Sequence, residues 1–157
     1  MFDVVKILTQ RKETIATMES CSGGAIVNSI TNIPGASEVL KFSAVTYANE
    51  FKIKMGVLKE TIDKYSVYSM AVAKEMSKNI SLFANSTYGI GITGKINRED
   101  PYNKSGENNK IFISIYNKNN DTYNTFSLIA KDADRISNKD YIVEEIAKKL
   151  LTIFRNS

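Results

Sequence analysis

Ser37, Tyr47 and Lys52 are residues whose types and spacing could carry out a group transfer. A serine hydroxyl is a weak nucleophile until a neighbouring base takes its proton. A lysine can be that base when burial lowers its pKa. A tyrosine hydroxyl can relay or donate the proton. Tyr47 reads as the end of a strand and Lys52 lies about one turn into the next element, so both can face one pocket. The competing reading is that three common residue types fall at this spacing by chance.

The chain has no histidine and one cysteine, Cys21. A Ser-His-Asp triad or a Cys-His pair is therefore impossible within it. Histidine-ligated metal sites are excluded too, and one cysteine cannot build a thiolate cage. Any base must be Lys, Tyr, Asp or Glu. One cysteine also rules out an intrachain disulfide, which points to a reducing compartment.

A second candidate is Glu19-Ser-Cys-Ser-Gly-Gly24, where an apolar strand pattern runs into a small-residue turn. A helix opening at Ser22, Gly23 and Gly24 would present free backbone N–H groups to an anion such as a phosphate. The alternative is an ordinary strand-to-helix turn that needs small residues. Cys21 beside it reads as a small buried residue, since nothing nearby in sequence depresses its pKa. Thr93-Gly94 closes a strand, where open α/β sheets place ligands; a plain turn is the other reading. Arg135 could hold a carboxylate or phosphate bidentately, or lie on the surface in water.

These residues need elements to position them. The chain has 157 residues and a net charge of +4, enough for one domain with a real core. Its Lys and Arg are interleaved with Asp and Glu, so a basic stripe for nucleic acid is not expected. No segment approaches the roughly 20 apolar residues that span a bilayer, and the N-terminus lacks a signal-peptide pattern. A cytoplasmic protein is expected, with no membrane partner. Tyr and Phe are plentiful enough to allow a homo-oligomer.

Apolar spacing predicts a helix over 2–12, a strand over 14–18 and a helix over about 23–31 capped by Ser22. A strand comes next over 42–47, then short helices over 50–55 and 59–65. Ser69 caps a helix to about Phe83, and a strand runs from Tyr88 to Thr93. Residues 95–109 form a long polar loop, a length that usually serves function or mobility. Strands over 110–116 and 122–129 form a hairpin, and a last helix spans about 134–154. The expected fold is α/β: three layers, α/β/α, around a mixed, mostly parallel sheet with one antiparallel hairpin.

Taken in order, the chain resembles the CinA C-terminal domain family, or PncC-type nicotinamide-nucleotide amidohydrolases. The resemblance rests on Glu19-Ser-Cys-Ser-Gly-Gly24, Pro34-Gly35, Ser37, Tyr47-Ala-Asn-Glu-Phe-Lys52, Gly56-Val57, Ser69, Val72-Ala73, Glu75-Met76 and Ile92-Thr-Gly94. It covers about residues 5–152. It implies hydrolysis of the carboxamide of nicotinamide mononucleotide to nicotinate mononucleotide and ammonia, without metal or other cofactor. By this resemblance Ser37 is the nucleophile, Lys52 its base and Tyr47 the assisting proton-transfer group. By the same resemblance Thr93 and Arg135 match residues that help hold the site. Helix-terminus electrostatics makes the Ser22-Gly23-Gly24 turn, or basic side chains nearby, the expected phosphate site.

The chain departs from the family after Ile92-Thr-Gly94. The family continues with a Gly- and Pro-rich loop, whereas this chain has Lys95-Ile-Asn-Arg-Glu-Asp-Pro-Tyr-Asn103. That departure favours the alternative reading, a CinA-like nucleotide-binding or interaction module without catalysis.

Overall fold

The computed structural model describes residues 1–156. The chain runs α1 (Phe2–Arg11), β1 (Ile15–Glu19), α2 (Ala25–Thr31), a 3-10 turn (Ala36–Glu38) and β2 (Leu40–Val45). It continues through α3 (Asn49–Lys54), α4 (Lys59–Tyr65), α5 (Met70–Ala84), β3 (Tyr88–Gly94), β4 (Lys110–Asn117), β5 (Thr122–Ile129) and α6 (Arg135–Arg155). The expected elements are present to within about two residues at most of their ends. The 3-10 turn is an addition, formed where Pro34-Gly35 reverses the chain.

The five strands form one sheet in the order β2-β1-β3-β4-β5. β2, β1 and β3 are parallel, and β4 and β5 are added antiparallel. Central β1 and β3 are buried throughout, as parallel strands covered on both faces must be. Successive side chains on β1 alternate between two cores. Ile15 joins Val4, Leu8, Ile26, Ile30, Ile142, Ile146 and Leu150 on the side of α1, α2 and α6. Ala16 and Met18 join Val72, Met76 and Ile80 on the side of α5.

Two glycines of β3 explain how closely α5 packs. A Cβ at Gly89 would lie 2.0 Å from the Ser77 carbonyl oxygen, and one at Gly91 would lie 2.3 Å from that of Ala73. Only hydrogen in place of a side chain allows this approach. Ser77 and Ser114 hydroxyls satisfy each other across the seam at 2.8 Å, as buried polar groups must.

The chain leaves β1 toward α2 on one face and returns through β2. It leaves β2 toward α3, α4 and α5 on the other face and returns through β3. The strand order therefore reverses at β1, so a crevice opens at the carboxyl ends of β1, β2 and β3. Among the described residues, no helix is long and apolar enough to cross a membrane.

Candidate active site

β1 ends at Glu19, and the parallel ladder extends one bond beyond β2, with the Thr46 N–H donating to the Glu19 carbonyl at 2.8 Å. This sets Ser20, at the tip of β1, beside Thr46 and Tyr47, at the tip of β2. The chain then enters α3, whose first turn brings Lys52 back toward the tip of β1. Lys52 is only 1% exposed. Its Nζ donates to the Ser20 hydroxyl at 3.0 Å, the Thr46 carbonyl at 2.6 Å and the Tyr47 carbonyl at 3.3 Å.

Burial pushes the Lys52 amine down to about 8, although the neighbouring Cys21 and Asp100 pull the other way. The cause is desolvation of the ammonium form. A neutral amine has two N–H groups and one lone pair. With the two N–H groups held by the carbonyls, the lone pair is left for the Ser20 hydroxyl proton. Ser20 and Lys52 thus have the geometry that a nucleophile and its base require, at hydrogen-bond distance and with the amine oriented by backbone.

The pair opens on a cavity of about 670 Å³, lined also by Tyr47, Tyr68, Lys95, Asp100 and Arg135. That volume suits a mononucleotide-sized ligand. The 95–109 loop forms one wall, and it is fastened in place. Tyr68 donates its hydroxyl to Asp100. The Asn103 amide donates to Asp100 at 2.8 Å, and that of Asn49 donates to Asn103 at 3.0 Å. Partial burial pushes the Asp100 carboxyl up, but hydrogen bonds from Tyr68, Asn103 and the Tyr102 N–H prevail and hold it at about 2. The Tyr68 phenol is pushed above its usual range, first by burial and then by Asp100. Cys21 also lines the cavity. Burial raises its thiol to about 12, against the opposing pull of Lys52, so it stays protonated.

The expected nucleophile lies elsewhere. Ser37 is exposed on the 3-10 turn before β2, whereas Lys52 packs beyond the far end of that strand. At roughly 3.3 Å per residue, a six-residue strand separates the two positions by on the order of 20 Å. Ser37 does not line the cavity. The structure brings Lys52 and Tyr47 together as expected, but around Ser20. Tyr47 contributes its carbonyl to Lys52 and its largely exposed side chain to the cavity wall.

The expected phosphate cradle is also corrected. The Glu19 carboxylate already occupies the opening of α2, accepting from the Gly24, Ile26 and Val27 N–H groups at 3.0, 3.2 and 2.8 Å. The Ser22 hydroxyl donates to the same carboxylate at 2.7 Å, and that of Thr17 donates at 3.2 Å. Ser22 is thus no N-cap; that position is Gly24, in the left-handed region. The protein's own carboxylate satisfies the donors that an anion would use, and Ser22, Gly23 and Gly24 line no part of the cavity.

Thr93 is buried and donates to the Val67 carbonyl at 3.0 Å, tying β3 to the segment before α5. It stays out of the cavity lining. Arg135 does reach the cavity, with its guanidinium on the Ile96 carbonyl at 3.2 Å. Buried Asn138 fixes that corner: its amide accepts from the Lys131 N–H at 2.7 Å and donates to carbonyls on both sides of Ala133. Ser20, Tyr68, Lys95 and Asp100 were not singled out from sequence. Ser20 had a signal, its place directly after a strand in an α/β pattern; Tyr68 had none.

The comparisons agree with this architecture. The CinA C-terminal domain matches residues 2–154. A curated relative from Caldanaerobacter subterraneus subsp. tengcongensis, named for competence-damage induction, is 46% identical over 92 residues. That alignment covers 58% of this chain and 22% of the relative. The chain therefore matches about a fifth of the length of such relatives. A CinA superfamily structure from Escherichia coli superposes with a TM-score of 0.84 at 20% identity, covering 97% of this chain and 87% of that one. A competence/damage inducible protein from Agrobacterium tumefaciens gives 0.81 at 21% identity, covering 98% and 90%. At these identities the structural likeness concerns the fold. With the family match spanning nearly its whole length, the chain belongs to the CinA C-terminal domain family.

Proposed function

We propose that the protein is a serine–lysine amidohydrolase that converts nicotinamide mononucleotide to nicotinate mononucleotide and ammonia. The observation that carries this reading is the 3.0 Å contact between Lys52 Nζ and the Ser20 hydroxyl, at the floor of a nucleotide-sized cavity. Family membership supports the choice of substrate.

In this mechanism Lys52, as the free amine, takes the Ser20 proton while Oγ attacks the carboxamide carbon. The carbonyl π bond opens to an oxyanion. In the turn after Ser20 the Gly23 and Gly24 N–H groups are committed to the Ser20 carbonyl and the Glu19 carboxylate, which leaves those of Cys21 and Ser22 as the candidate donors to it. One such donor contributes ~3 kcal/mol in other acyl-transfer enzymes. The Lys52 ammonium then protonates the amide nitrogen as the C–N bond breaks, releasing ammonia and leaving an ester on Ser20. Water, giving a proton to Lys52, attacks that ester. The carboxylic acid departs, and Ser20 recovers its proton. Tyr47, at the cavity mouth, orients the substrate beside this pair.

The test is ammonia release from nicotinamide mononucleotide by the purified protein, with Lys52→Met as the control. Turnover in the native chain that is lost in the variant supports the reading. A folded native protein without turnover would favour a binding module.

A further inference from the structure

We propose that Lys95, with Arg98 and Arg135, forms an anion subsite of the cavity that takes a phosphate monoester. For the identity of the substrate this rests on the amidohydrolase reading; the anion binding itself stands apart from it. Lys95 directly succeeds β3 and is only 4% exposed. An ammonium this deeply buried is ordinarily matched by a carboxylate, because desolvating an unpaired charge is costly. Lys95 has only long contacts to neutral oxygens, the Lys104 carbonyl at 3.4 Å and the Asn108 side chain at 3.3 Å. Its amine also lies 5.1 Å from the centre of the Tyr68 ring.

Arg98 and Arg135 line the same cavity. Among the described residues, none of these three cations belongs to an ion pair. Arg135 uses one nitrogen on the Ile96 carbonyl, next to Lys95, which leaves further N–H donors on its fork. The acids on this wall are Glu99 and Asp100. Asp100 is already engaged by Tyr68, Asn103 and the Tyr102 N–H. A phosphate monoester offers acceptor oxygens and close to two negative charges, the ligand that matches unpaired Lys and Arg donors. The opening of α2, closed by Glu19, offers it no alternative place.

The experiment measures binding of ribose 5-phosphate and of inorganic phosphate by calorimetry, using native protein, Lys95→Gln and Arg98→Gln. Arg98 is exposed, so that variant is expected to fold even if the first does not. In parallel, KM and kcat are measured for the nucleotide and for the riboside that lacks the phosphate.

Ribose 5-phosphate is expected to bind the native protein and to bind each variant roughly tenfold or more weakly. KM for the nucleotide should rise similarly in each variant at nearly constant kcat, while the riboside is unaffected. Native protein that binds no ribose 5-phosphate, or binds it no better than inorganic phosphate and equally in both variants, overturns the subsite. Nucleotide turnover with unchanged KM in both variants also overturns it and leaves the amidohydrolase standing. Ribose 5-phosphate binding that depends on Lys95 and Arg98 in a protein without turnover supports the subsite and removes the amidohydrolase reading.

Discussion

The Lys52 amine lies 3.0 Å from the Ser20 hydroxyl, although 32 residues separate them in the chain. Parallel pairing of β1 with β2 makes the contact, because it sets the two strand tips side by side. The same pairing sends Ser37 to the opposite end of the sheet.

The pH dependence of catalysis should report Lys52. The base must be neutral to take the Ser20 proton, and burial lowers its pKa to about 8. We expect kcat/KM to rise about tenfold per pH unit below 8 and to level off above it. A profile flat from pH 6 to 9 would contradict the assignment.

The same burial sets a stability dependence. The folded protein releases the Lys52 proton at about 8, whereas the unfolded chain holds it up to about 10.5. Between these values the unfolded state binds more protons, so this group's contribution to stability rises with pH. Below about 8 both states are protonated and the contribution is constant, a cost of about 3 kcal/mol. Lys52→Met removes it. Because the variant also strands the Thr46 and Tyr47 carbonyls at every pH, urea unfolding should show its stability relative to native falling by about 2–3 kcal/mol between pH 7 and pH 10, whatever the offset at pH 7. A difference independent of pH would count against a depressed amine.

Glu19 is expected to be structural. Its carboxylate holds the opening of α2 through the Gly24, Ile26 and Val27 N–H groups and the Ser22 hydroxyl. Glu19→Ala strands these donors and should cost about 2–4 kcal/mol in denaturant unfolding. A loss below about 0.5 kcal/mol would show that solvent replaces the carboxylate readily.

Asp100 fastens the loop over the cavity through Tyr68 and Asn103. Its carboxyl is held at about 2, below the ordinary 3.8, so the latch is complete above the ordinary value and fails as pH falls through about 2. Asp100→Ala should raise KM several-fold and speed amide exchange across 97–104. Unchanged exchange would mean that other contacts order the loop.

Most of the fold was legible because each element announces itself locally. Val72, Met76 and Ile80 repeat at helical spacing, Ser69 caps that helix through the Val72 N–H, and Gly94 closes β3. The meeting of Lys52 and Tyr47 at one cavity was legible from their spacing. Their partner was not, because Ser37 is nearer in sequence while Ser20 is nearer in space, and only strand pairing decides between them. The α2 opening looked vacant because Ser22, Gly23 and Gly24 describe donors. That Glu19 folds onto them depends on side-chain direction at the end of β1. Tyr68 and Asp100 meet only through the tertiary fold, and neither carries a local signature.

In the proposed mechanism Ser20, activated by Lys52, is the nucleophile. The most direct measurement compares ammonia release from nicotinamide mononucleotide by the native protein, Ser20→Ala and Ser37→Ala, each shown to be folded. Turnover should fall at least about a thousandfold in Ser20→Ala and stay within about twofold in Ser37→Ala, an exposed position away from the cavity. Activity retained in Ser20→Ala and lost in Ser37→Ala would contradict the account.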